Sequence, residues 1–147
     1  MSPKYEITGI AHPTIPGVYR IRALRSFGLV KSGSLGGYVS SYNNLSHKGI
    51  CWAHDDVVVD KQACVVNNAQ AWGDAHITDN ALVCDDSIVR DYVVVNGFAI
   101  VEGSSIVRDH VTLTGSSIVT YRAVLSGNVT VNNGLVMGSA LVEETLN

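Results

Sequence analysis

The chain holds 147 residues, 46% of them apolar and only 16% charged, with a formal net charge of −3. That length fits one domain of ordinary size, and the composition excludes a disordered chain, a coiled coil and a basic tail. No apolar run reaches the ~18 residues of a membrane span, and the opening MSPKYEIT does not read as a signal peptide, so a cytoplasmic protein off the membrane is expected.

Residues 1–50 read as a small β cap. Short strands are predicted around Tyr5–Ile7, Val18–Leu24 and Tyr38–Ser40, punctuated by Gly17, Gly28, Gly33, Gly36 and Gly37. Six Lys/Arg against one Glu make this segment basic (+5), whereas residues 51–147 carry −8. The basic segment is therefore expected to lie against the acidic one, within a subunit or between neighbours. An acidic whole lacks the basic face that phosphate neutralisation needs, so nucleic acid is not an expected partner. Cys51, Cys64 and Cys84 are odd in number and lack metal-type spacing, which reads as free thiols in a reducing compartment.

From Cys51 to Ala140 the chain divides into fifteen six-residue units without insertion or deletion. The third position is aliphatic in all fifteen, running from Ala53 and Val59 to Val131 and Met137. The first is Ala, Ser or Val in thirteen, and the fifth is Gly, Asn or Asp in twelve. Side chains one and three of a unit fall on the same side of a short strand, because a strand alternates with period two. The fifth position holds residues that tolerate positive φ, so the chain turns there. Three units close a triangular coil, and fifteen units make five coils, a column roughly 24 Å tall at about 4.8 Å per level. The prediction is an all-β protein: cap 1–50, column 51–140, tail 141–147. All three prolines precede the column, as a hydrogen-bonded ladder requires.

Units such as Val93–Phe98 (VVVNGF) and Ala99–Ser104 (AIVEGS) resemble the hexapeptide-repeat, left-handed parallel β-helix proteins. The left hand comes from that resemblance alone, since parallel crossovers in general favour the right. Upstream, Tyr19–Leu24, Gly36–Val39 and Asn44–Ser46 are similar to the N-terminal cap of β-helical proteins of phages and bacteria, some labelled acyltransferase-like. The resemblance implies trimers packed side by side.

With eighteen residues per coil, outward side chains stack in columns. One face carries Cys64, Leu82, Ile100, Ile118 and Val136; the next carries Trp52, Gln70, Ile88, Ile106 and Val124, with His54, Trp72, Arg90, Arg108 and Ser126 beside them. The third face is polar, with His76, Thr112 and Thr130 among its residues. Soluble proteins seldom leave such apolar stripes to water. A homotrimer joined through Cys64, Leu82, Ile100, Ile118, Val136, Ile88 and Ile106 is expected, the alternative being that residues 1–50 fold down over the stripe.

Arg90 and Arg108 stand one above the other, and like charges so placed repel unless compensated. Asp91 and Asp109 are one compensation; a bound phosphate or carboxylate, joined by Tyr92 and His110, is the other. The corner carboxylates Asp55, Asp56, Asp74, Asp91 and Asp109 read as turn residues or as docking points for Arg20, Arg22 and Arg25, in preference to a cation site. Val58, His76 and Val94 interrupt the Thr/Asn array that an ice-binding surface would need. The five histidines lack the pair five residues apart that zinc takes in carbonic anhydrases of this fold, so neither a metal nor a cofactor is expected. No catalytic residue is assigned. Three functions remain: a non-enzymatic assembly or binding protein of phage type, meeting a protein or small anion; an acyltransferase with a His base between subunits; and a protein that sequesters a nucleotide-like anion.

Overall fold

The computed structural model describes residues 3–138 and the backbone of Leu141–Val142. Stacked two- and three-residue strands form a parallel β-helix, with one 3-10 turn at Tyr42–Asn44 and no longer helix among the described residues. No helix of the structure is long and apolar enough to cross a membrane. The strands lie in three sheets. The first runs from the cap strands β1 (Tyr5–Ala11), β2 (Tyr19–Ala23) and β3 (Leu35–Val39) through Val58–Val59, His76–Ile77, Val94–Val95 and Thr112–Thr114 to Thr130–Asn132. The second stacks Trp52–Ala53 to Leu141–Val142 in six levels, and the third Cys64–Val65 to Leu135–Val136 in five.

The hexad explains the interior. Third-position residues from Ala53 to Val131 are fully buried, and first-position residues from Cys51 to Val129 join them. The turn positions take the left-handed conformation at Asp55, Asn67, Asp79, Asp85, Asp91, Asp109 and Asn133 as well as at glycines. These residues do more than tolerate it. Each of several Asp side chains accepts a backbone N–H from the coil eighteen residues on: Asp55 from Gly73 (2.9 Å), Asp79 from Gly97 (3.0 Å), Asp91 from Asp109 (3.0 Å), Asp109 from Gly127 (2.8 Å). Of the corner carboxylates, Asp55, Asp91 and Asp109 are therefore turn caps, and Asp56 is a docking point for Arg20.

The frame changes once near the C-terminal end. Ile118 pairs with Leu135 and Val119 with Val136, seventeen residues apart where eighteen is the rule. The turn closes one residue early, with Asn133 Oδ1 accepting Ser116 N–H at 2.8 Å. Val136 is consequently 4% exposed in the core, Leu135 takes the outward place, and Met137 is turned to the surface. This corrects two sequence expectations, the uninterrupted repeat and the outward Val136. The shift carries into the next coil level, where Leu125 pairs with Val142, again seventeen residues on.

The column also begins earlier than residue 51. Strand β3 runs parallel to Val58–Val59, and Leu45 bridges Val65, giving a first coil of twenty residues per turn and about six coils in all. Gly37 permits this join, since a Cβ there would lie 2.4 Å from the Val57 carbonyl oxygen that Tyr38 N–H needs. Cap and column share one core in which Tyr5, Ile21, Val39, Leu45 and Trp52 lie together. Lys4 is buried there, its Nζ donating to Cys51 O at 2.8 Å, and desolvation lowers its pKa. Arg20 meets the acidic side as expected, with Nη2 2.7 Å from Asp56 Oδ1, while Arg22 pairs with Glu6 inside the cap.

Candidate functional site

Strand pairing of Ile88 with Ile106 and Val89 with Val107 places Arg90 directly over Arg108 on the second sheet. The adjoining corner carries Asp91 with Tyr92 and, one coil on, Asp109 with His110. Tyr92 and His110 stack, their ring centroids 4.9 Å apart and planes 11° from parallel. All four residues expected at an anion site thus share one corner.

Their charges are compensated unequally. Arg90 Nε lies 3.6 Å from Asp91 Oδ2, a partly exposed pair of little energetic weight. The same Asp91 oxygen accepts the Asp109 N–H, and Asp109 is occupied with Gly127. Arg108 makes no ion pair with any described residue, and its buried Nε has no hydrogen-bond partner. A buried donor without an acceptor is costly, so this guanidinium is the group on the corner most in need of an oxyanion.

Above the arginines lies an aromatic feature, formed by residues that the eighteen-residue period sets side by side. His54 stacks flat on Trp72, centroids 3.4 Å apart and planes 5° from parallel, and His54 Nε2 lies 2.6 Å from Gln70 Oε1. A groove of about 380 Å³ opens beside it, lined by Asp55, Trp72, Gly73, Ile88, Arg90 and Asp91. On the other side Leu29, 90% exposed, joins Ile50 and Trp72 around a more apolar groove.

The apolar columns remain half-exposed in the single chain: Cys64, Leu82, Ile100 and Ile118 on the third sheet, Ile88 and Ile106 on the second. Residues 1–50 do not fold down over them. The cap sits on the end of the column, its strands continuing the first sheet and its hydrogen bonds reaching the column at Val57, Lys61 and Ala63.

Cys84, Asp85 and Glu102 bring their ligand atoms within 4.8 Å of one another. Burial and the two carboxylates push the Cys84 thiol up to about 11, while Asp85 accepts Gly103 N–H and Glu102 accepts the Thr120 hydroxyl. Both carboxylates are thus already engaged. His76 is engaged as well, 3.2 Å from Asp60. No protein-family model matches the chain, and no curated protein matches it.

Two histidines make stability depend on pH. Burial holds His54 below the ordinary imidazole range, and His47 is lowered by burial and then by Lys4 and Arg25. His47 Nδ1 accepts the Lys4 N–H at 3.1 Å, a bond that protonation of that nitrogen abolishes. The unfolded chain then binds protons first as pH falls through the ordinary value of about 6.5, so stability declines below it until the folded values are passed. The urea midpoint is expected to drop between neutral pH and pH ~5. Replacing both histidines by Gln should flatten that slope, and an unchanged slope would contradict the assignment.

Proposed function

We propose that this protein is a non-enzymatic, homo-oligomeric β-helical binding protein, a trimer of columns side by side, that presents its arginine corner to a small anionic partner. The observation that carries the reading is Arg108, an arginine with a buried, unpartnered Nε stacked on a second arginine. The half-exposed apolar columns on two adjacent faces support the association. The resemblance of the hexads supports a left-handed coil, and that of the cap supports a phage or prophage setting. Sequestration of a nucleotide-like anion would use the same two arginines. The acyltransferase reading draws less support, because His54, His76 and His110 are each held by a stacking or polar partner.

Inorganic phosphate tests the site. Anything that binds the folded chain alone raises its melting temperature. Phosphate is expected to raise it for the wild type and not for Arg108→Ala. Arg108→Lys keeps the charge but loses the planar fork, so its protection should be weaker than that of the wild type. Equal protection in Arg108→Ala would reduce the pair to a structural feature.

A further inference from the structure

Among the described residues from Cys51 on, fifteen turn positions adopt the left-handed conformation, and thirteen of them are Gly, Asn or Asp. The exceptions are Lys61 and Tyr121. Lys61 has a structural account, since its Nζ reaches Asp79 Oδ1 of the next coil at 3.2 Å. Tyr121 has none. Its φ is 59°, its side chain is 59% exposed, and its hydroxyl bonds to no described residue. A bulky L-residue is disfavoured in this region, where Asn or Gly would sit without strain. Such strain persists at positions where the side chain serves something other than the fold.

The surroundings are built for access. Tyr121 lies on the corner between Ile118–Val119 and Val124–Leu125, a different corner from that of Arg90 and Arg108. It borders an open surface groove of about 430 Å³ lined by Ser104, Tyr121, Arg122 and Gly138. The coils on either side place Gly103 with Ser104 and Gly138 at this corner, so among the described residues no large neighbour stands beside the ring. Arg122 is exposed and makes no ion pair or hydrogen bond through its side chain to any described residue, on a chain whose net charge is −3.

We propose that Tyr121 and Arg122 form a binding site for a small anion that carries a flat ring. The phenol ring offers a stacking face, the guanidinium a forked donor for phosphate or carboxylate, and the Ser104 hydroxyl a further donor at the rim.

The proposal is tested by calorimetric titration with AMP in an Arg108→Ala background, so that an anion bound at the other corner does not contribute. Ribose 5-phosphate, the anion without the ring, is titrated beside it. AMP is expected to bind, and ribose 5-phosphate to bind about tenfold more weakly or not at all. Tyr121→Asn and Arg122→Gln should each weaken AMP by about tenfold or more. Tyr121→Asn should at the same time melt above its parent, because Asn takes the left-handed conformation without strain. A variant that gains stability while losing its ligand is not what a purely structural Tyr121 would give. The proposal is overturned if AMP fails to bind, if neither substitution alters its binding, if ribose 5-phosphate binds as well as AMP, or if Tyr121→Asn melts below its parent.

Discussion

Replacing Asn44 by leucine is expected to destabilise the protein by about 3–5 kcal/mol, as the loss of a buried polar network does. Asn44 is fully buried at the join of cap and column. Its Oδ1 accepts the N–H and hydroxyl of Ser40 (2.9 and 2.8 Å) and the N–H of Ser41 (2.8 Å). Its Nδ2 donates to the carbonyls of Lys61 (3.1 Å) and Ala63 (2.8 Å), so one amide ties the 3-10 turn to the second coil level. Leucine fills the volume but leaves these groups unpaired, and Ala63 O has no water to turn to. Asn44→Asp separates polarity from hydrogen-bond sense. The carboxylate keeps the three bonds to Ser40 and Ser41 but sets its second oxygen against the two carbonyls. It should be nearly as damaging at neutral pH and partly recover in acid, where the protonated group can donate one bond. Urea unfolding of the two variants measures both effects. A cost below about 1 kcal/mol for either would mean that the cap docks by apolar contact alone.

The second large effect is on assembly. Ile100 and Ile118 pair directly across adjacent coils, so Ile100→Glu with Ile118→Lys replaces an apolar column by an ion pair within it. Opposite charges so placed are compatible with the ladder, and the coil should survive. The apolar surface does not. Light scattering is expected to give about three times the chain mass of 15.7 kDa for the wild type and a single chain for the variant, with unchanged far-ultraviolet dichroism. A wild type of single-chain mass would refute the association. Retained assembly in the variant would move the interface to the Ile88–Ile106 face.

The two effects fall on either side of what the hexads disclose. Ile100 over Ile118, Arg90 over Arg108 and Tyr92 over His110 could all be read from residues eighteen apart, because stacking at a constant period converts sequence distance into spatial neighbourhood. The match of the turn residues to positive φ was legible for the same reason. Asn44 was not, for its partners lie on segments related by no period. Nor was the true start of the column, since the first coil carries two extra residues and its strands are separated by a 3-10 turn.

What the amino-acid sequence determined by itself is the architecture: a three-sided parallel column, its inward residues, and which outward residues share a face. These come from local alternation and turn preference, repeated until only one arrangement buries the aliphatic positions. Tertiary structure decided the rest. It moved Val136 inward, because a corner can close one residue early when an Asn side chain supplies the missing hydrogen bond. It set the cap on the end of the column instead of along its side, because the strand edges there are paired by β3. It also distinguished Arg108 from Arg90: both neighbouring carboxylates accept a backbone N–H from the next coil, yet of the two guanidinium groups Arg90 alone comes within ion-pair distance of a described carboxylate.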